Sequence, residues 1–355
     1  MSGENRNIAG KLTRKVLIWS GVIVLCLSYF IFSFAGRATR EFYTESYHNK
    51  MLVTYEYTRR VLSDVYVAVT NNIYYLEQHL DDSEYPKGVM ERIVINGTRV
   101  RSCGISFIED YYYPEREHRF CPFAWRNSAN PDVIYSENMG DADLDYLVAD
   151  WFLDVIKADT AFWSDPFYDG YDNATTLAAY MVPIHEKSGR TVAVLGADVS
   201  LDWLTDKLHE TDSTINKSVS FISDVMDLQS QSFIINHDGT FITHPESGHI
   251  LTENFFKHFD QSDDDEVKAL VDKIKGGVTS ERESSVSYDY DGSKCYLFYT
   301  PLKYTQWTMV TVVPSKTVEI LGFVNGVMLL LIVILFMLIA VAVYHYFVAS
   351  YVEPL

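Results

Sequence analysis

The chain has 355 residues, is 48% hydrophobic and 14% aromatic, and carries a formal charge of −19. This composition excludes a collagen, a low-complexity chain and, with four cysteines, a disulfide knot. The acidic balance argues against nucleic acid, because phosphate recognition needs clustered Lys and Arg. At roughly 150 residues per domain, the length allows about two domains.

Residues 1–15 hold Arg6, Lys11, Arg14 and Lys15 against one acid, Glu4. Val16 to Ala35 then runs 20 residues without a charge. A helix of about 20 residues crosses the roughly 30 Å hydrocarbon core. The rival reading is a cleaved signal peptide ending at Ser33-Phe34-Ala35, whose apolar stretch would be only about 7–15 residues. The basic excess places the N-terminus in the cytoplasm. Ile320 to Tyr344 is a second uncharged run of 25 residues with one amide, Asn325. Two spans return the C-terminus to the cytoplasm and leave residues 36–319 outside.

Residues 37–80 read as a stalk helix. There is no Pro there and no Gly after Gly36, and Met51, Tyr55, Leu62, Val65, Val69, Leu76 and Leu80 form a stripe interrupted by Thr58 and Asn72. A helix of that length, about 66 Å, exceeds what one small domain buries. One face is expected on the chain's own domains and another on a partner; packing wholly within the chain is the alternative. Pro86 is read as the end of this region. Thr98 to Asp110 and His118 to Asn127 read as strands, and Asp143 to Lys157 as a helix. The runs 162–169, 177–184 and 191–200 read as further strands, with Lys187-Ser188-Gly189-Arg190 as a turn, and Leu201 to Leu208 as a short helix. A smaller unit begins near Ser220. Asp238-Gly239 is expected to make a two-residue hairpin turn, and Asp291-Gly292 repeats the pattern. The strand 307–314 ends five residues before the second span. The fold class is α+β with antiparallel sheets.

This order resembles a bacterial double-Cache sensor over residues 37–317, and several residues carry the likeness. Trp151-Phe152 precedes Trp163-Ser164-Asp165-Pro166-Phe167. Tyr180-Met181-Val182-Pro183-Ile184 is similar to the family's s-x-P-I strand, and Gly196-Ala197-Asp198-Val199-Ser200-Leu201 to its G-x-D-I-S-L strand. Phe233-Ile234-Ile235, Asp238-Gly239 and His244-Pro245 resemble the proximal-domain pattern. Glu353-Pro354-Leu355 is similar to the opening of a HAMP linker over 345–355. The resemblance implies a two-helix membrane-anchored receptor with two PAS-like Cache domains, distal at 81–215 and proximal at 216–317, in a bacterial inner membrane. It implies a homodimer through stalk and membrane helices. In style it is nearest to receptors with a serine phosphatase output of the 2C superfamily, sporulation stage-II-E branch. Histidine kinases and chemoreceptors share the same sensor.

No G-x-x-x-x-G-K-[ST], G-x-S-x-G or H-E-x-x-H is present, so no catalytic residue, cofactor or metal is expected in this chain. His237, His244 and His249 read as turn and surface residues. Three Asn sequons, at Asn96, Asn173 and Asn216, read as chance. Cys103 and Cys121, on neighbouring strands, are expected to form a disulfide, with two buried thiols as the alternative; Cys295 stays open.

In amino-acid-binding members, an Arg two residues before the Trp grips the carboxylate. Tyrosines at the W-Y and P-Y positions and the strand Asp hold the amine. Here Ala149, Phe152 and Phe167 replace the Arg and both tyrosines, and Asp198 matches with Trp151 beside it. The resemblance then implies a small amine or apolar ligand other than a standard amino acid, held by Asp198 between Trp151, Phe152, Trp163, Phe167 and Tyr180. For the aromatic residues the alternative is core packing, and for Asp198 a structural hydrogen bond. A transmembrane small-molecule receptor is the leading function. A tethered enzyme lacks a nucleophile–base pair, and a ligandless partner-binding scaffold is the third class.

Overall fold

A single helix, α1 (Ser2–Gln78), opens the computed structural model and takes in the expected first span and the stalk without a break. The structure describes residues 2–127, 130, 134–140, 145–169, 175–217, 229–260, 263–279, 288–290, 292–303 and 305–351. The HAMP-like residues Glu353 to Leu355, Asp291 and the starting region of the smaller unit near Ser220 lie outside them. At 1.5 Å per residue, α1 is about 115 Å long. Tyr47, Met51, Leu62, Val65, Val69 and Leu76 are buried along one side. The interruptions expected at Thr58 and Asn72 are absorbed by the helix. Thr58 Oγ1 donates to Thr54 O at 2.9 Å and Asn72 Nδ2 to Ala68 O at 2.8 Å. Such bonds to the preceding turn let a buried polar side chain stay in a helix.

Pro86 does not end a region; it opens α2 (Tyr85–Asn96), which the sequence reading missed. Proline suits the first helical turn, where its missing N–H has no partner to lose. The distal sheet follows: β1 (Val100–Phe107), β2 (Pro122–Arg126), β3 (Ile134–Asn138), β4 (Phe162–Trp163), β5 (Phe167–Tyr168), β6 (Thr176–His185) and β7 (Thr191–Ser200). Its order is β3-β2-β1-β7-β6-β4, with β5 also on β6, and every pair is antiparallel. The helix expected from Asp143 is shorter, α3 (Asp150–Ala158), after a 3-10 turn at Tyr146–Val148. Strand alternation gives the sheet two faces. Cys103, Ile105, Tyr180, Val182, Leu195 and Ala197 pack with α1 and α2. Cys121, Ala179, Met181 and Val194 pack with Tyr146, Phe152 and Val155 on the α3 side.

α4 (Asp202–Lys217) leads toward the second sheet and spans the expected 215/216 domain boundary. That sheet is β10-β11-β12-β8-β9, formed by β8 (Gln231–Ile235), β9 (Phe241–Thr243), β10 (Tyr288–Tyr290), β11 (Ser293–Pro301) and β12 (Thr308–Pro314). The helix α5 (Asp265–Lys275) covers it and is capped by Asp264, whose side chain accepts from Glu266 N. The β8–β9 turn has three residues instead of two. Asn236 N donates to Thr240 O at 3.0 Å, leaving His237 to Gly239 as the loop. Asn236 Oδ1 accepts the Asp238 and Thr240 N–H groups, and Gly239 has φ +94°. The side chain of Asn236 thus adds a residue to the turn that Asp-Gly alone does not reveal.

α6 (Ser315–Tyr351) starts immediately after Pro314, so the five residues before the expected second span are already helical. Ser315–Phe336 is long and apolar enough to cross a membrane. It pairs with α1 at small residues. A Cβ on Gly322 would stand 3.2 Å from Gly36 Cα, and one on Gly326 would stand 2.7 Å from the Phe32 ring. Asn325 Nδ2 donates to Thr39 Oγ1 at 3.1 Å, which gives the one amide of this run its partner. Small residues that let backbones approach, with a cross-helix hydrogen bond, are how apolar helices associate.

Candidate functional site

Asp198 projects from β7 on the face turned away from the stalk. It lies opposite Ser102 of β1 and Ala179 of β6. Its Oδ2 accepts the Ser102 hydroxyl at 2.6 Å. No Lys or Arg touches it among the described residues. Burial pushes its carboxyl up to about 6; the Ser102 hydrogen bond opposes this and the nearby Asp169 carboxylate adds to it. A carboxylate set into an apolar sheet without a cation is costly, and an incoming cation would relieve that cost.

Asp169 follows directly on β5 and is 6% exposed. Arg101 reaches it at 3.4 Å. The register of β1 against β7 shifts between Val100 and Ser102, which makes Arg101 the residue of a bulge. Bulges re-aim a side chain, and here the Arg101 guanidinium is turned to Asp169. The sequence reading missed Ser102, Asp169 and Arg101. The polar parity of Ser102-x-Gly104-x-Ser106 was its one visible signal, and the bulge had none.

The structure divides the expected set of site residues. Trp151 and Phe152 stand on the Asp198 side, their rings 5.8 Å apart. Phe152 is 3% exposed and packs edge-on to Tyr146 at 5.3 Å, a core position. Trp163 and Tyr180 lie on the opposite face, toward the stalk, so they do not wall Asp198. Their rings are 5.4 Å apart, Tyr180 meets Tyr66 of α1 at 5.6 Å, and Trp163 meets Trp307 at 6.1 Å. The expectation that these aromatic residues together surround Asp198 is corrected accordingly: Asp198 and its even-numbered β7 neighbours Val194 and Gly196 face α3, whereas Tyr180 and Val182 of β6 face the stalk. Phe167 is exposed at the edge strand β5, and its neighbour Tyr168 donates to Ile250 O, in the loop after β9, at 2.9 Å. Phe123, Trp125 and Tyr135 add aromatic rings on the Asp198 side, at 5.9 Å and 5.6 Å from one to the next.

The Cys103–Cys121 disulfide is also corrected. Both thiols are free and buried, and Cys295 is buried as well. Cys103 is paired with Ala124, and Cys121 lies beside Ser106, whose Oγ is 3.1 Å from its sulfur. Positions 103 and 106 differ by an odd number, so the two sulfurs occupy opposite faces of the sheet. Burial pushes the Cys121 thiol up to about 11.

Among the described residues, no group of three or more His, Cys, Asp or Glu is placed to hold a metal. His244 and His249 have ring centres 4.6 Å apart in the second sheet's loop, and His237 lies 4.0 Å from Asp165. Two open clefts, of about 300 and 390 Å³, lie along α1 at Phe42 to Val53 and at the distal tip beside Glu77 and Glu186.

Solved structures share this fold. The extracellular domain assigned to a histidine kinase, soHK1S-Z6, aligns at a TM-score of 0.59 with 15% identity, over 79% of this chain and 97% of that one. A second such domain, mmHK1S-Z3, aligns at 0.57 with 16% identity over 79% and 97%. The periplasmic sensory domain of the Campylobacter jejuni chemoreceptor Tlp1 aligns at 0.56 with 13% identity, over 80% and 98%. No curated protein matches the chain in sequence. The Cache domain family matches residues 44–319. That span holds both sheets and most of the stalk, and the chain belongs to the Cache domain family.

Proposed function

We propose that the distal sheet binds a small ligand bearing a cationic nitrogen at Asp198, and that binding is passed to α6. The observation that carries this reading is a carboxylate set into the α3-side face with, among the described residues, one hydroxyl donor and no cation on it, beside a second carboxylate, Asp169. Arg101 is placed to orient an anionic group of the same ligand. That assigns the guanidinium a role the substitution at 149 had removed, and brings amino acids back beside simple amines as candidates. The apolar aromatic wall on this side is Trp151 with Phe123 and Trp125.

The receptor is proposed to cross the membrane twice, with α1 and α6 as its spans and both sheets outside. A second copy is proposed to lie along the outer side of α1, where Phe42, Val53, Val67 and Tyr74 are exposed. Spacings of 11, 14 and 7 residues keep these four side chains on one side of α1. The expected output is a serine phosphatase of the 2C superfamily. A histidine kinase or chemoreceptor module is the second reading, since one sensor fold serves many outputs.

The test is a thermal-shift screen of the full chain in detergent micelles against amines, amino acids and apolar metabolites. A ligand at 100 times its Kd adds about 2.7 kcal/mol to the native state. The expected hits carry a cationic nitrogen and are lost in Asp198→Asn. A hit that is unchanged in Asp198→Asn overturns the site.

A further inference from the structure

Asp212 lies on α4, outside the distal site, and is 5% exposed. Its Oδ2 accepts the Ser232 N–H of β8 at 2.6 Å, and its Oδ1 accepts the Ser232 hydroxyl at 2.7 Å. The same hydroxyl oxygen lies 3.0 Å from Thr311 Oγ1 of β12, the strand that runs into α6. Next to Asp212, Thr211 Oγ1 lies 3.2 Å from Thr54 Oγ1 of α1. One carboxyl therefore sits where α1, α4, β8 and β12 converge. The titratable groups around it are Tyr47 on α1, with Tyr43 beside that ring, and His209 on α4. β8 and β12 face it with serine and threonine hydroxyls. No Lys or Arg touches it among the described residues. Burial pushes the carboxyl up to about 6, against the two Ser232 hydrogen bonds that favour its ionised form.

We propose that Asp212 is a second sensory site whose ligand is the proton, and that Ser232 and Thr311 relay its state to β12 and α6. With the carboxylate ionised, the Ser232 hydroxyl donates to it, so the Ser232 oxygen accepts the Thr311 hydroxyl. When Oδ1 takes a proton, it becomes the donor. The Ser232 hydroxyl then turns to donate to Thr311, whose own proton leaves that contact. One proton is gained, two hydroxyls rotate, and the charge that held the Ser232 amide is removed, which weakens a charge-assisted bond. The ionised, tight state holds above a pH of about 6 and the reversed state below it. This input is independent of the cation site, so it stands or falls separately from the function proposed above.

The test uses the full chain with Cys26→Ser in lipid nanodiscs, spin-labelled at the exposed positions of Lys187 in the distal sheet domain and Lys268 on α5. The inter-label distance distribution is measured by pulsed electron resonance between pH 7.5 and 5.0. The wild type is expected to shift with a midpoint near pH 6. Asp212→Asn, nearly isosteric and permanently neutral, is expected to give the low-pH distribution at both pH values, and His209→Gln to shift like wild type. A wild-type distribution that does not move overturns the proposal. So does an Asp212→Asn protein that follows pH, or a His209→Gln protein that does not. Ser232→Ala keeps the carboxyl and removes the relay. Its distribution is expected to stay fixed with pH, and a wild-type shift there overturns the relay even if Asp212→Asn does not fold.

Discussion

Asp198→Asn should stabilise the ligand-free protein at neutral pH while removing its ligand. The Asp198 carboxyl is raised from 3.8 to about 6, chiefly by burial. The folded state therefore holds a proton more tightly than the unfolded chain. Its contribution to stability is complete below pH 3.8 and is lost as pH rises to about 6. About two pKa units correspond to roughly 3 kcal/mol as an upper bound. Partial solvent access at the rim of the face reduces this to about 1–2 kcal/mol. Asn keeps an oxygen for the Ser102 hydroxyl at the 2.6 Å position and carries no charge. Urea unfolding of both proteins at pH 4.0 and pH 7.5 measures the difference. The variant should match wild type to within about 0.5 kcal/mol at pH 4.0 and exceed it by about 1–2 kcal/mol at pH 7.5. A structural hydrogen bond predicts the reverse, an Asn variant that is less stable by the same amount at both pH values. That result would refute the reading of Asp198 as a ligand group kept at a cost to the fold.

Four further outcomes are expected. Alkylation of Cys103 and Cys121 without reductant should occur only after unfolding and should place one adduct on each by peptide mass mapping; unmodified sulfurs at both in the unfolded protein would indicate a bridge. Gly239→Ala should lower stability by about 2–4 kcal/mol in urea unfolding, because φ is +94° there and a Cβ would stand 2.3 Å from the Phe256 ring. A cysteine pair at Thr39 and Asn325 should crosslink in membranes, and Gly322→Ile, driven into Gly36, should suppress it; undiminished crosslinking would argue against the α1–α6 contact. A cysteine at Ser247 should react with an impermeant reagent from outside and one at Ser2 should not, while external labelling at Ser2 would reject the proposed topology.

Local periodicity made much of the architecture legible. The stalk stripe from Met51 to Leu76, the β6 and β7 runs and the apolar run in α6 each declare themselves within a few turns or one strand. What failed depends on partners distant in sequence. Pro86 reads as a stop until the helix it begins is seen. β3, as Ile134-Tyr135-Ser136-Glu137-Asn138, lies at a sheet edge, and its burial alternates only between exposed and partly buried. The candidate site depended on relative parity between strands. Asp198 and Tyr180 each lie on a legible strand, but which of them shares a face follows from the pairing of Tyr180 with Ala197, one residue from Asp198. Arg101 turns to Asp169 through a bulge, and Asp212 sits in a polar helix where nothing local marks it as buried.

The joint between Pro314 and Ser315 leaves α6 no freedom to choose its own azimuth. A helix advances 100° per residue, so one residue added at this joint turns every α6 side chain by that angle relative to β12. Gly322 would then leave Gly36, and Asn325 would leave Thr39. Two added residues point the contact face nearly opposite, whereas three or four return it to within about 60° of its starting direction. The second sheet and α6 are joined at one fixed phase, so a twist of β12 would reach α6 as rotation. An insertion series here should therefore make crosslinking of a cysteine pair at Thr39 and Asn325 swing with a period of 3.6 residues, and not decline steadily as it would behind a flexible tether.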